Sequence, residues 1–281
     1  MKKLTAVSMA AACGFFAGGA LAEPISLPFG PIFVQFQNFE QINPAADPGE
    51  ENAWGIARIN QMSTGTILIP NSEITGNVEF FDGTSATGPQ VTAMFYGLEA
   101  TECTSTLLCS TSGFMDLYWD EAGLVGGGTI VSWDSATLTP ALRTGTDSYT
   151  GVTDGIFLAR LEFASGADAA DSDITLTGDI IPQQTGFSGV ANGFFNVDVD
   201  AGGVWAGSLD GDWFDTVFGT RDLKFKNSYV GPLGAWTDQV SLGAVSTDPV
   251  QAFAVPEPGS LGLLGLGLLG LSLVFRRRRS G

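Results

Sequence analysis

The 281-residue chain contains no histidine. That removes the commonest general base and the commonest catalytic metal ligand, so neither Ser-His-Asp nor Cys-His chemistry can be assembled from this chain alone. Basic residues are scarce as well, 12 against 30 acids, for a formal net charge of −18. Half of the basic residues sit at the two ends (Lys2, Lys3 and Arg276 to Arg279). The stretch from 23 to 254 holds six basic residues and 29 acids, a net of −23. Such a surface repels nucleic acid and anionic lipid headgroups, so neither is expected as a partner. It keeps a protein soluble and attracts divalent cations. Cysteines number three, long 3.6-period segments are few, and no apolar run reaches the roughly 20 residues of a comfortable membrane span.

What is present begins with the two ends. Met1-Lys2-Lys3, an apolar run to Gly19 and Ala20-Leu21-Ala22 form a basic head, an apolar core and a small-x-small cleavage site. Residues 1–22 thus read as a signal peptide handed to the secretion machinery and signal peptidase, with Ala20 and Ala22 marking the cut. Cys13 leaves a lipoprotein processing site as a rival, although Ala10-Ala11-Ala12 before it lacks the usual Leu. At the other end, Val255-Pro256-Glu257-Pro258 precedes an uncharged run, Gly259 to Phe275, and then Arg276, Arg277, Arg278 and Arg279. Two prolines one residue apart cannot sit inside a helix or a central strand. As a helix the 17-residue run would rise roughly 25 Å, just short of a hydrocarbon core of about 30 Å. The four arginines would hold its far end in the cytoplasm. Gly262, Gly265, Gly267 and Gly270 fall all round a helical wheel, which suits a temporary hold better than specific helix pairing.

Between the ends, residues 23–254 read as one acidic, all-β exported domain. Short runs rich in Val, Ile, Phe and Thr are bounded by Gly, Asp, Asn and Ser: Pro31–Phe36, Thr66–Ile69, Asn77–Phe81, Val91–Tyr96, Phe114–Trp119, Thr129–Trp133, Ile156–Phe163, Ile174–Ile181, Gly193–Val199, Leu223–Phe225 and Val250–Val255. A phase slip at Ala159-Arg160 predicts a bulge. Two weak helices are predicted, Glu50–Arg58 and Ala136–Leu142. The expected architecture is a β-sandwich or jelly-roll-like body with a short C-terminal transmembrane helix after it. If the body were two domains, the break would fall at Ser165 to Asp171.

Few residues point to chemistry. Cys103 and Cys109 bracket five residues in an exported domain, which predicts a disulfide. The acids gather at Asp168, Asp171, Asp173 and Asp179, and at Asn196, Asp198, Asp200, Asp210, Asp212 and Asp215. Acidic turns between strands account for them. If calcium binds, Asp198, Asp200, Asp210 and Asp212 are its first ligands, although the EF-hand spacing fails at Ala201 and Gly207. Asp116, Asp120 and Glu121 beside Trp119 supply the carboxylates that glycoside hydrolysis needs, with nothing to fix their spacing. Trp54, Trp119, Trp133, Trp205, Trp213 and Trp236 either fill a core or stack on sugar rings.

The carboxyl-terminal arrangement resembles the PEP-CTERM sorting signal of Gram-negative bacteria, on Val255-Pro256-Glu257-Pro258, Gly259-Ser260-Leu261, the Leu/Gly run and the closing arginines. The resemblance covers the last 27 residues. It implies that a membrane-embedded exosortase recognises the Pro-Glu-Pro and cleaves nearby, so the body is tethered to the inner membrane and then reaches the cell surface or exterior. It also implies a non-enzymatic matrix protein accompanying exopolysaccharide, biofilm or floc formation, and Ser246 to Val250 look somewhat like flocculation-associated members. A carbohydrate- or calcium-binding module and a hydrolase are the alternatives.

Overall fold

The structure is a computed structural model that describes residues 24–42, 50–66, 74–104, 107–179, 181–183, 186–231, 236 and 242–254. The signal peptide, most of the expected strand Thr66–Ile69 and the apolar run 259–275 lie outside these residues. Among the described residues no helix is long and apolar enough to cross a membrane.

The strands in chain order are β1 (Gly30–Ile42), β2 (Ala53–Thr66), β3 (Thr75–Asp82), β4 (Gln90–Leu98), β5 (Ala100–Thr104), β6 (Leu107–Ser110), β7 (Phe114–Asp120), β8 (Arg143–Gly145) and β9 (Ser148–Tyr149). They continue as β10 (Ile156–Ala164), β11 (Leu176–Asp179), β12 (Ile181–Gln183), β13 (Gly186–Val197), β14 (Phe214–Thr216), β15 (Gly219–Arg221), β16 (Leu223–Gly231) and β17 (Leu242–Ala254). Short helical turns occur at Pro140–Leu142, Val199–Ala201 and Ala206–Leu209.

The all-β expectation holds, but the expected sandwich is replaced by a single sheet that closes on itself. Its order runs β7, β4, β2, β1, β17, β16, β13, β10 and back to β7, every pair antiparallel. Closure rests on four residue pairs, Leu161 to Ala164 of β10 against Val197 to Phe194 of β13. Toward its start β13 leaves β10 and pairs with β11, which leads on to β6 and β5, so the wall opens there into a three-stranded flap. A closed sheet has no free edges to manage, which is what separates this fold from a two-sheet sandwich. The closed sheet draws strands from both sides of Ser165 to Asp171.

Period-2 alternation sets the two faces. Phe36 of β1, Phe95 of β4, Leu117 and Trp119 of β7, Leu161 and Phe163 of β10, Phe195 of β13 and Phe225 of β16 form the inner cluster. Two aromatic rings rest on glycines of neighbouring strands. A Cβ on Gly55 would lie 2.3 Å from Phe95 Cζ, and one on Gly193 would lie 2.3 Å from the Phe225 ring. Only glycine leaves room for those rings. The outer face of β1, β2 and β4 carries a second cluster, in which Phe39, Ile56, Met94 and Tyr96 pack with Leu138, Tyr149, Val152 and Trp236. The excursion between β7 and β10, residues 121–155, supplies three of those side chains and covers that face.

Three local expectations are corrected. Glu50–Arg58 is not a helix but the approach to β2 and its first half. Thr129–Trp133 is not a strand; its backbone is irregular and its side chains serve the second cluster. Of Ala136–Leu142 only a single tight turn at Pro140–Leu142 is helical. The bulge in β10 is real, falling between Phe157 and Ala159.

Candidate functional site

In sequence, the sorting signal follows directly on the last strand of the barrel wall. β17 lies between β1 and β16, and its last residue, Ala254, pairs with Gly30 and is wholly buried. Val255, Pro256, Glu257 and Pro258 follow at once, so in sequence no spacer separates the closing strand from the motif. Those four residues and Arg276 to Arg279 lie outside the described residues.

The predicted disulfide is formed: Cys103 and Cys109 are bonded, with Cα atoms 5.8 Å apart, across the β5–β6 hairpin at the outer end of the flap.

The carboxylates considered for hydrolysis are not arranged as a pair. Asp116 and Asp120 lie on one face of β7, four residues apart, which along a strand is about 13 Å. A glycosidase pair stands roughly 5 to 9.5 Å apart. Both are buried, at 1 % and 0 % exposure, Asp120 against Gly128 and Gly155 of the 121–155 excursion. Asp116 receives Arg160 Nε and Nη2, each at 2.8 Å, and the Tyr96 hydroxyl at 3.1 Å. Trp119 points the other way, into the barrel, and its Nε1 donates to Glu121 at 3.0 Å.

Asp120 has a different environment. Its Oδ2 lies 2.6 Å from Thr92 Oγ1, which is also 2.6 Å from the Val152 carbonyl oxygen. Thr92 has one hydroxyl proton and the carbonyl can only accept, so the second short contact requires a proton on Asp120. Burial pushes Asp120 up to about 7, and nearby Asp154 adds to the rise. Its Oδ1 is buried without a partner, pressed against the backbone of Gly128 and Gly155. Asp120, through Thr92, and Gln90, bonded to Val131 at 2.9 and 3.1 Å, fasten the excursion to β4 and β7.

The acids proposed as calcium ligands are spread around a turn. Asp198 accepts from Ala201 N at 3.1 Å. Asp212, with φ of +47°, accepts from Thr220 Oγ1 at 2.8 Å. Buried Asp222, which sequence reasoning passed over, accepts from Val197 N and Asp212 N at 2.8 and 2.7 Å, and burial raises its pKa. Among the described residues no group of three or more acids or cysteines is placed to hold a metal ion.

Five of the six tryptophans pack into the two apolar clusters, whereas Trp213 is half-buried and belongs to neither. Trp119, Trp205 and Trp236 are buried. Trp133 stacks on Phe39 at 5.3 Å, and the Arg143 guanidinium covers Trp54 at 4.4 Å while pairing with Glu51.

Sequence reasoning also missed a polar group inside the barrel. Asn38, Glu40, Asn227 and Tyr229, with Ser110 from the flap strand β6, line a largely apolar cavity of about 70 Å³ at the end of the barrel toward Ile42 and Gly231. The signal was there: Phe36, Asn38, Glu40 and Ile42 alternate by two, as do Phe225, Asn227 and Tyr229, so each polar residue interrupts an apolar face.

Residues 254–279 match the model of the PEP-CTERM protein-sorting motif. No curated protein and no solved structure matches the chain. The motif implies an exosortase as the processing partner and membrane-anchored sorting, with the surface or exterior as destination.

Proposed function

We propose that the protein is a non-enzymatic component of the cell surface or extracellular matrix, cut at Pro256-Glu257-Pro258 once the barrel is outside, and that it acts alongside exopolysaccharide in biofilm or floc. The observation that carries this reading is the junction. The matched motif begins at Ala254, the last residue of the strand that completes the barrel, so a cut beyond it separates an intact domain from everything that follows. A strongly acidic exterior and a chain without histidine support a structural rather than a catalytic role. The carboxylates that invited a hydrolase reading are buried, one of them held by an arginine and the other fastening the barrel's outer layer.

The test is the intact mass of the protein recovered from cells with and without the sorting enzyme. A mature form that begins near Glu23 and ends shortly after Ala254, only when the enzyme is present, supports the reading. Arginine-bearing chains in both strains would overturn the processing step. Unchanged aggregation and matrix retention after gene deletion would overturn the matrix role.

A further inference from the structure

The barrel's interior is not uniformly apolar, and its polar groups are not fully partnered. Asn38 and Asn227 are 1 % and 7 % exposed, and the side-chain oxygen of each lacks a hydrogen-bond partner. A buried acceptor left without a donor loses its hydration and gains nothing in return, so two at one cavity call for a donor from elsewhere. Asn38 Nδ2 donates to Glu40 Oε2 at 3.1 Å, which aligns the carboxyl with them. Glu40 is densely surrounded although solvent still reaches part of it, and burial pushes it up to about 7. The hydroxyl of Tyr229, on the same wall, is already spent on the Asp179 carbonyl. Asn38 and Tyr229 stand opposite the same residue of β17, Ser246, so they lie level with one another with one strand between them.

We propose that this end of the barrel binds a small primary ammonium compound with a short apolar tail. The three N–H donors of the head meet the three acceptors present: the Glu40 carboxylate, Asn38 Oδ1 and Asn227 Oδ1. Such a head also supplies the countercharge that a carboxylate inside a protein otherwise lacks. The tail enters among Phe95, Leu98, Phe195 and Phe225. The cavity is several times larger than one water requires, which fits a head and a few carbons but not a large ring system. The net charge of −23 over residues 23–254 draws cations toward the protein. A neutral alcohol has too few donors for the site, and a quaternary ammonium has none.

Calorimetric titration of the exported, processed protein with n-butylammonium, against n-butanol and tetramethylammonium, tests this at pH 8. The expected result is one saturable site for n-butylammonium, at least about tenfold tighter than either comparison compound, as one lost charged hydrogen bond implies. Asn227→Leu and Asn38→Leu should each weaken it about tenfold while raising the thermal midpoint, because each also removes an orphan acceptor. If one variant does not fold, the other carries the same test. Water as the sole occupant, seen as no saturable heat from n-butylammonium, would overturn the proposal. So would n-butanol binding as tightly, or binding unchanged in the Asn variants.

Discussion

Arg160 grips both carboxylate oxygens of Asp116 at 2.8 Å, from the paired position on the neighbouring strand β10. The acid is almost fully enclosed, whereas the arginine side chain keeps 30 % of its surface exposed. Arg160→Met would leave an enclosed carboxylate with only the Tyr96 hydroxyl. We expect a loss of about 2 kcal/mol in urea unfolding, less than the 3–5 kcal/mol of a fully buried pair because solvent reaches the arginine. Asp116→Leu combined with Arg160→Met should recover most of that loss, since no charge is then left stranded. A double variant as unstable as Arg160→Met alone would show that the arginine acts through packing.

Asp120 makes stability depend on pH. Its folded pKa, about 7, lies above that of the unfolded chain, so the native state holds the proton more tightly. Its contribution is therefore full below about pH 4 and declines up to about pH 7, beyond which it is lost. Asp120→Asn keeps a donor toward Thr92 and cannot ionise. Relative to the parent, the variant should gain on the order of 3 kcal/mol between pH 4 and pH 8. Glu40, also raised to about 7, gives the remaining slope the same sign. Parallel stability curves for parent and variant would show that Asp120 is charged in the fold.

The residues behind these two predictions show what could be read from the chain. The strand that carries Asp116, β7, and its neighbour β4 were legible because they are bounded by turn residues and rich in aromatic and β-branched side chains. The start of β2 was not. Trp54 and Ile56 face the outer cluster while Ala57 and Ile59 face the inner one, so both faces are covered and the alternation that marks a strand disappears. The proton on Asp120 depends on Val152, 32 residues away, and no local pattern encodes that. The sorting signal was legible in full, because its parts are contiguous and recognition needs only their order.

Gly193 lies under the Phe225 ring, with a notional Cβ 2.3 Å from the nearest ring carbon. Gly193→Ala must move that ring, which packs against Phe195 at 4.8 Å and Phe163 at 5.7 Å. A loss of about 1–3 kcal/mol is expected, as for other overpacked cores. Gly193→Ala with Phe225→Leu should regain part of it, measured by thermal unfolding. Near-parental stability of the single variant would mean the aromatic group has slack.

The Cys103–Cys109 bond closes a short loop at the far end of the flap rather than within the barrel. Replacing both cysteines with Ala should lower stability by about 2 kcal/mol in the chain-entropy picture. Hydrogen exchange should localise the effect. Amides of β5 and β6 would exchange faster, while those of β1, β2 and β17 keep their protection. Uniform acceleration across the barrel would tie the flap to global unfolding.

The first and last described strands, β1 and β17, are partners along 13 residue pairs from Gly30↔Ala254 to Ile42↔Leu242. A pairing between opposite ends of a chain is slow to form, because the entropy of closing a long loop must be overcome before the contacts reward it. The barrel therefore closes only after residues 242–254 have been exported, immediately ahead of the sorting motif. Two expectations follow for pulse-chase experiments in cells that contain the sorting enzyme. A chain ending at Ala254 retains every described strand pair and should resist protease as the processed protein does, whereas one ending at Ser241 lacks β17, leaves β1 and β16 without the strand between them and should be degraded. Inserting about ten Gly/Ser residues after Val255, a flexible reach of roughly 15–20 Å, should leave the barrel intact and speed processing, because the motif otherwise follows the wall by a single residue. Slower processing of the lengthened chain would mean that the enzyme reads the barrel's edge together with the Pro-Glu-Pro.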